Sequence, residues 1–495
     1  MFLAAPLALA LGACASGGGG QATLHAPELP AAITLDGDTS DWQGDSPITA
    51  DDRYLYLRFA VQDAQYTLQA APVTTSIQLD LDGSTATGRT SNLQGFNSLG
   101  VDLEIEFSPR QGAVTKNGVA AYAVDAQGRR TPIPIADLDL ACAPTYASSW
   151  YELRIARTPQ TSGLLPEAGM RSQGTVSGII ALYDGSGKIV GYSDPFSTFV
   201  PPAAAPAAVT VEVPAKPADA VRVMAFNVER SSPVSQPERF QRIFQALQPD
   251  IILISEWEQG DAAAMQAWFT ALVDGDTQWS VRKAAGDSSS GGGVAIVSRY
   301  TLVPFRNDAL TVPGENDKAQ RRPVRFVAGR VITPVGELIV GATHLKCCGT
   351  KDSSEDRRRM AEARAINDFM ASAAAAYPGA IRVVGGDLNL VGSRPPLDLL
   401  RARIDADGSD LAVATPMVLG DRTLTTWRDS KGGFGPGRLD YIVYSDANAV
   451  AANAFVFDTG RLSDETLARL GLDRTDSEAS DHLPVIVDLR ARGSR

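Results

Sequence analysis

The chain has 495 residues, of which 44% are hydrophobic and 21% are charged. This length exceeds what one hydrophobic core usually organises, so we expect at least two domains, and the apolar content excludes a disordered chain. The net charge of −12 argues against a general binder of nucleic acid, because phosphate backbones are held by an excess of lysine and arginine.

The acidity is concentrated in the first part of the chain. From Val221 to the end there are 33 basic and 35 acidic residues, a charge of −2, which leaves 12 basic and 22 acidic residues and a charge of −10 before it. This difference supports two domains with different surfaces. It also confines the argument against nucleic-acid binding mainly to the front domain.

The N-terminus predicts export. An apolar run over residues 1–10 is followed by Leu11-Gly12-Ala13-Cys14 and a run of glycines. Small residues before a cysteine resemble a bacterial lipoprotein signal, with Cys14 as the lipidated residue and residues 1–21 as signal and tether. We therefore expect a protein anchored to a membrane by its lipid, in the periplasm or at the cell surface. Beyond the N-terminus, no long uncharged apolar run is present to span a membrane.

Three cysteines remain, Cys142, Cys347 and Cys348. An odd number cannot pair completely within one chain, and the two adjacent residues either form a vicinal disulfide or stay reduced. With few histidines and no Cys-x-x-Cys, a structural zinc site is not expected.

Residues 22–199 show short alternating runs separated by Gly, Asp and Ser, such as the run from Tyr54 to Phe59, which predicts an antiparallel β-sandwich. The segment from Ile33 to Trp42 resembles the opening of domains similar to family 9 carbohydrate-binding modules. That resemblance implies a glycan as a partner. Asp80, Asp82 and Asp102 could supply oxygen ligands for Ca²⁺, or could serve only in turns, where aspartate bonds its own backbone.

A Pro/Ala-rich stretch over residues 200–220 predicts a linker. In residues 221–495, strand-like runs alternate with helical stretches, which predicts a layered α/β fold. Several of these runs end in a polar side chain, where α/β folds gather their ligands. In chain order these side chains are Asn227, Glu256, His344, Asp387 with Asn389, Asp440, and Asp481 with His482.

This ordered series resembles the endonuclease/exonuclease/phosphatase superfamily over residues 220–491. The resemblance implies a four-layer α/β sandwich and Mg²⁺ or Mn²⁺ held chiefly by Glu256, with Asn227 and Asp481 nearby. It further implies that Asp387 orients or deprotonates water and that Asn389 contacts the phosphate. His344, and His482 oriented by Asp440, would contact the phosphoryl oxygens. Which imidazole is protonated is left open by the sequence.

The expected function is therefore hydrolysis of phosphate mono- or diesters by metal-assisted attack of water. An extracellular endo- or exonuclease is the alternative, which the acidic charge disfavours without removing it. A sphingomyelinase is less expected, because no apolar hairpin suited to membrane insertion is present. The alternative of another class is a catalytically inactive surface lipoprotein that binds glycan or calcium.

Overall fold

The computed structural model describes residues 33–61, 64–91, 93, 98–161, 163–203, 210–314, 319–428 and 433–493. The predicted signal, tether and Cys14 lie outside these residues, as does part of the predicted linker. The domain boundaries given above therefore stay predictions. Within the described residues, no helix is both long enough and apolar enough to cross a membrane.

The front part of the chain consists mainly of strands. Its strands are β1 (Ile48–Ala50), β2 (Tyr54–Ala60), β3 (Thr74–Asp80), β4 (Arg89–Thr90), β5 (Gly100–Val101), β6 (Leu103–Phe107), β7 (Arg110–Gln111), β8 (Val114–Thr115), β9 (Val119–Val124), β10 (Arg130–Ile133), β11 (Ala141–Ala143), β12 (Trp150–Ala156), β13 (Gly174–Tyr183), β14 (Ile189–Tyr192) and β15 (Phe196–Val200).

Two antiparallel sheets of this part face each other. The smaller has the order β1-β2-β12-β11, and the larger has the order β10-β9-β6-β3-β13-β14, with β15 also paired to β13. Leu55 and Leu57 of β2 share one buried cluster with Ile77 of β3 and Ile105 of β6. This packing confirms the expected β-sandwich, whereas the likeness to family 9 carbohydrate-binding modules stays a prediction.

The rest of the chain mixes strands and helices. Its strands are β16 (Val221–Asn227), β17 (Ile251–Ser255), β18 (Ser280–Lys283), β19 (Ala295–Ser298), β20 (Leu302–Pro304), β21 (Thr311–Pro313), β22 (Arg321–Pro323), β23 (Phe326–Thr333), β24 (Gly336–His344), β25 (Ile381–Asp387), β26 (Ala412–Val413), β27 (Met417–Val418), β28 (Asp440–Tyr444), β29 (Ala449–Val456) and β30 (Val485–Ala491). Its α-helices are α1 (Ser232–Ser235), α2 (Pro237–Leu247), α3 (Ala262–Leu272), α4 (Ser354–Ala376), α5 (Pro395–Arg401) and α6 (Asp464–Leu470).

Two larger sheets of this part also lie face to face, in the orders β18-β19-β17-β16-β30-β29-β27 and β20-β23-β24-β25-β28-β26. The pattern of β16 shows why. Val221, Val223 and Ala225 point into the cluster between the sheets, whereas Met224 and Phe226 point into the cluster under the helices. A strand buried on both faces becomes an almost continuous apolar run.

Helices cover the outer faces of both sheets. In α2, Phe240, Ile243, Phe244 and Leu247 are fully buried and recur at helical spacing, so the helix packs one apolar stripe onto the first sheet. Residues of α4 and α5 pack in the same way onto the second sheet. The expected four-layer α/β sandwich is therefore confirmed.

The two parts are joined by polar contacts. Arg154 of β12 forms a buried ion pair with Asp421, and Arg461 donates to Asp139 over 3.0 Å. Thr145 Oγ1 donates to the carbonyl of Arg438 over 2.9 Å, only two residues before Asp440. The front sandwich thus contacts the backbone that leads into the predicted catalytic strand β28.

Candidate active site

The predicted site residues meet because strand register places them side by side. In the second sheet, His344, Asp387 and Asp440 are direct neighbours across β24, β25 and β28. In the first sheet, Asn227 is paired with Ser255 across the parallel strands β16 and β17, and Glu256 follows at once. The carboxyl ends of these parallel pairs therefore bring both sets of side chains together between the sheets.

Asp387 is the centre of this group and is almost completely buried. Asn227 Nδ2 and Asn389 Nδ2 donate to Asp387 Oδ2 over 3.0 and 3.1 Å, and the Asn389 amide donates to Oδ1 over 2.8 Å. Burial raises the pKa of Asp387 to about 7, with Asp440 and Glu256 adding to the rise and the positive His482 and the Asn389 amide opposing it. Asp387 is thus a carboxyl group with a fixed orientation and a pKa near neutral pH.

His482 forms a buried pair with Asp440, at 2.7 Å between Nδ1 and Oδ2. Thr426 Oγ1 donates to the same carboxylate oxygen over 2.8 Å and accepts from the Asp440 amide over 2.9 Å. Burial alone would lower the pKa of His482, but the Asp440 charge and hydrogen bond outweigh it and raise the pKa to about 10. His482 is therefore expected to be a cation at neutral pH, and its Nε2 lies 3.8 Å from Asp387 Oδ2.

His344 has the opposite state. Arg325 Nη1 lies 2.9 Å from His344 Nδ1. Since a guanidinium only donates, Nδ1 must accept and the ring proton lies on Nε2. Burial, followed by the charges of Arg325 and His482, holds the pKa of His344 well below its usual value. The neutral ring directs Nε2–H towards Asp387 Oδ2 at 3.4 Å and Glu256 Oε1 at 3.8 Å.

The site therefore offers two imidazole N–H groups beside one carboxylate. One imidazole is a cation paired with Asp440, and the other is a neutral ring fixed by Arg325. Two such donors suit a tetrahedral oxyanion, and the carboxylate between them suits a water molecule that must lose a proton. Of the two imidazoles, His482 is therefore the one expected to be protonated.

Glu256 supplies a second carboxylate. Its side chain is partly exposed, whereas that of Asp387 is buried. Asn227 Nδ2 donates to Glu256 Oε1 over 3.1 Å, and the Arg230 amide donates to Oε2 over 3.1 Å. One ligand atom each of Glu256, His344 and Asp387 lies within 4.8 Å of the others. Because His344 Nε2 carries the proton, oxygen atoms form the effective donor set, which suits a hard divalent cation.

Asp481 lies next to this group at the entrance to β30. Its Oδ2 accepts from Trp427 Nε1 over 3.0 Å, and its Oδ1 lies 4.0 Å from His482 Nε2. Its backbone amide donates to Glu229 Oε2 over 3.3 Å. Its predicted role as a metal ligand stays a prediction.

The backbone around the site adopts sparsely populated conformations. Glu256 and Asn389 have φ of 64° and 48°, which non-glycine residues rarely adopt. Gly386 has φ of 137°, and a Cβ there would lie 1.9 Å from the carbonyl oxygen of Thr343. Glycine is therefore required directly before Asp387, where β24 and β25 approach each other.

Sequence reasoning did not assign roles to Arg325, Thr426 and Trp427. Arg325 precedes β23 in an arginine-rich stretch, in which Arg330 pairs with Glu337 over 2.6 Å and Arg321 donates to Thr311. Thr426 and Trp427 follow no strand-like run, so the sequence carries no periodic signal that predicts their position.

The calcium candidates of the front sandwich are also brought together. Ligand oxygens of Asp80, Asp82 and Asp102 lie within 4.8 Å of one another. Each carboxylate also accepts backbone amides. Asp82 accepts from Ser84, Asp80 from Gly83 and from Gly100, and Asp102 from Leu81, which is 21 residues away. Asp80 and Asp82 thus bond the backbone of their own turn, whereas Asp102 does not, and calcium at this cluster stays a prediction.

The chain was compared with families, curated proteins and solved structures. No curated protein matches the sequence. Solved structures similar to this chain include the endonuclease/exonuclease/phosphatase from Beutenbergia cavernae DSM 12333, 19% identical with a TM-score of 0.38 over 56% of this chain and 72% of that one. The human Nocturnin catalytic domain with bound sulfate anion is 18% identical, with a TM-score of 0.34 over 56% of this chain and 97% of that one. Sphingomyelinase C from Streptomyces griseocarneus is 15% identical, with a TM-score of 0.35 over 54% of this chain and 99% of that one.

These structural likenesses are too low to say anything about the substrate of this chain. The sequence match is more informative. A family model described as Endonuclease/Exonuclease/phosphatase family matches residues 224–482, which contain every predicted catalytic residue from Asn227 to His482. Because this match spans more than half of the 495 residues, the chain belongs to the endonuclease/exonuclease/phosphatase family.

Proposed function

We propose that this protein hydrolyses phosphate mono- or diesters by attack of water, with the help of a divalent metal ion. The observation that carries the proposal is the pair of imidazoles on either side of Asp387. His344 Nε2 and His482 Nε2 lie 3.4 and 3.8 Å from the same carboxylate oxygen, and each ring is held by a partner that fixes its proton. A crowded phosphoryl group needs several fixed donors of this kind.

Glu256 and Asn227 would hold Mg²⁺ or Mn²⁺, with Asp481 as a further proposed ligand. The ion would neutralise charge on the phosphate and provide a Lewis acid. The donor set fits, because Glu256 and Asp387 place two carboxylates close together and their mutual repulsion contributes to the raised pKa of Asp387. A divalent cation beside them would relieve that repulsion.

The chain's own residues then have separate roles. Asp387 orients the attacking water and accepts its proton, while the two asparagine amides hold the carboxylate in place. Asn389 contacts the phosphate beside it. His344 and His482 donate hydrogen bonds from Nε2–H to the phosphoryl oxygens, and Asp440 keeps His482 charged as negative charge develops.

We propose a small or extracellular phosphate ester as the substrate. The charge of −12 disfavours a long polyanion, because each neutralised phosphate requires a cationic partner. Hydrolysis of plasmid DNA, a phosphodiester dye and a phosphomonoester should be compared with Mg²⁺, with Mn²⁺ and with EDTA. We expect turnover of a small ester that EDTA abolishes. Rapid cutting of plasmid without hydrolysis of either small ester would show a nuclease instead.

The same panel separates an enzyme from a surface binding protein. If no substrate is hydrolysed with any divalent ion, and Asp387→Ala changes no phenotype while deletion of residues 22–200 does, the inactive binding lipoprotein is correct. Asp387→Ala in the full chain is the matched control for contaminating hydrolases, because it removes only the carboxylate at the centre of the site.

Export and lipid attachment at Cys14 are also proposed, on the pattern of residues 1–14. Incorporation of labelled palmitate that is lost in Cys14→Ala would support attachment, and label retained in that variant would contradict it. Glycan binding by the front domain is proposed on its resemblance and on Trp150 and Tyr192. These two aromatic side chains are 46% and 56% exposed beside a groove of about 340 Å³. Calcium at Asp82 is tested by a calcium-dependent rise in Tm that Asp82→Asn abolishes.

A further inference from the structure

Cys347 and Cys348 lie three and four residues after His344, in the segment that connects β24 to α4. Cys348 Sγ lies 2.9 Å from Cys347 Sγ and donates to it. Cys348 is exposed and Cys347 is partly buried, so a small reagent has access to the pair. Cys348 also has φ of 68°, a strained backbone at the second cysteine.

The surroundings favour a thiolate at Cys347. The Cys348 thiol donates to it, and Lys346, Arg325 and Arg359 are the nearest positive charges, which together lower the pKa of Cys347 to about 6 against the effect of burial. Cys142 differs, because burial and Glu152 raise the pKa of its thiol. Because the thiolate is the form that attacks disulfides, we expect Cys347 to be much more reactive than Cys142.

The peptide groups around the pair are held by residues that also hold the active site. Arg359 Nη1 donates to the carbonyls of Lys346 and Cys348 over 2.9 and 2.6 Å. The carbonyl of Leu345 accepts from Arg325 and also from Asn389 Nδ2, the latter over 3.2 Å. A shift of this segment therefore moves the partner that fixes His344 and the amide that holds Asp387.

We propose that Cys347 and Cys348 are a modification site, which a small-molecule disulfide oxidises to a vicinal disulfide that lowers the activity of the adjoining site. The second part rests on the proposed phosphoesterase function. A disulfide bond is about 2.05 Å long, so the two sulfur atoms must approach by about 0.9 Å. That approach pulls on the backbone of residues 345–348, and a misplacement of about 1 Å near reacting groups can cost as much as ~10²-fold in rate.

The chemistry balances with the disulfide as the oxidant. The Cys347 thiolate attacks one sulfur of RSSR, the S–S bond of RSSR breaks, and one RS⁻ leaves with its electron pair. Cys348 loses its proton to the released thiolate and attacks Cys347 Sγ of the mixed disulfide, which expels the second RS⁻. The second RS⁻ takes from solvent the proton that Cys347 released when its thiolate formed. Counted from the two thiols, the protein loses two electrons and two protons, and RSSR becomes two RSH.

The test uses the full chain with oxidised glutathione, followed by dithiothreitol. Mass spectrometry of the peptide that contains both cysteines should show the loss of two hydrogen atoms, and kcat should fall by at least ~10-fold and return on reduction. Cys348→Ser should retain a glutathione adduct on Cys347, and Cys142→Ser should behave as the wild-type protein. A persistent adduct in the wild-type protein, or a vicinal disulfide without loss of activity, would overturn the proposal.

A second readout does not depend on turnover. The chain has three histidines, so their ring resonances can be assigned by substitution. Oxidation should shift the His344 ring signals and leave those of Cys347→Ser unchanged. Absence of hydrolysis with a clear His344 shift would refute the proposed function alone, whereas an unchanged His344 signal in oxidised protein would refute the coupling.

Discussion

Two groups of possible metal-binding residues in this molecule have similar distances between their ligand atoms but different hydrogen-bond partners. Asp80, Asp82 and Asp102 of the front sandwich meet within 4.8 Å, as do Glu256, His344 and Asp387 of the family domain. Burial raises the pKa of both Asp102 and Asp387 to about 7. Proximity and a raised pKa therefore do not distinguish the two groups.

The partners do separate them. In the front cluster, the donors are backbone amides and one hydroxyl: Gly83 and Gly100 for Asp80, Ser84 and Thr87 for Asp82, and Leu81 for Asp102. In the back cluster, Asp387 meets an asparagine 160 residues away and two imidazoles with opposite charge states. The front carboxylates are thus held by groups that do not titrate, whereas Asp387 lies beside side chains that can move protons.

The largest expected effect comes from a matched pair of substitutions across the two groups. Asp387→Asn should lower kcat by at least ~10²-fold, because the group that orients and deprotonates water is lost. Asp102→Asn changes a carboxyl of similar burial and pKa in the other sheet system, and should leave kcat within about twofold. Circular dichroism and steady-state kinetics on both variants check this. Equal losses of activity in the two folded variants would remove the distinction drawn above.

Asp440→Asn should have the next largest effect. His482 loses the carboxylate that raises its pKa to about 10, so its pKa falls. His482 acts when protonated, and activity is therefore present below its pKa and lost above it. We expect a decrease in kcat of about 10²-fold and an alkaline limb that moves to lower pH in the pH–rate profile. An alkaline limb at the wild-type position would show that another group is responsible for it.

The positions of the candidate site residues along the chain could be predicted from the sequence, whereas their protonation states could not. Asn227, His344, Asp387 and Asp440 each begin or end a strand-like run, and strands of an α/β fold place such residues at one edge. The layered arrangement can also be predicted from apolar runs such as β16. Alternating side chains of this strand pack into the cluster between the sheets and into the cluster under the helices.

The contacts that fix protonation come from parts of the chain without such a pattern. Arg325 lies in the loop before β23 among other arginines, and only tertiary structure directs this one to His344 Nδ1. Thr426 reaches Asp440 from an irregular segment, and its hydroxyl makes two bonds there. Sequence periodicity reports which face of an element is buried and says nothing about which polar group a loop places against it.

Arg325→Met should have an intermediate effect, because it removes the donor that keeps the His344 proton on Nε2. We expect kcat to fall by about 10-fold with a smaller change in KM, as is typical of residues that orient a catalytic ring through its second nitrogen. Arg330→Met is the matched control, since this arginine of the neighbouring strand pairs with Glu337 away from the site. Nitrogen-15 spectra of the imidazoles report the tautomer directly, and an unchanged His344 tautomer in Arg325→Met would contradict the assigned role.

The smallest expected effect on activity belongs to a buried carboxyl of the front sandwich. Glu152 of β12 accepts from Trp42 Nε1 over 2.7 Å and from the Gly37 amide over 2.8 Å. Burial raises its pKa from 4.5 to about 7 in spite of these bonds. The folded state therefore binds a proton that the unfolded chain releases between these two pH values. Glu152 accordingly destabilises the fold as the pH rises from 4.5 to 7.

Glu152→Gln should remove this part of the pH dependence and leave kcat within about twofold. The free energy of unfolding in urea should favour the variant at pH 8 relative to pH 5 by an amount on the order of 1 to 3 kcal/mol. The sign is the informative part. A carboxylate stabilised by its donors would instead make the variant relatively less stable at pH 8, and a fall in kcat at either pH would mean that the front sandwich supports the site through its contact with Arg438.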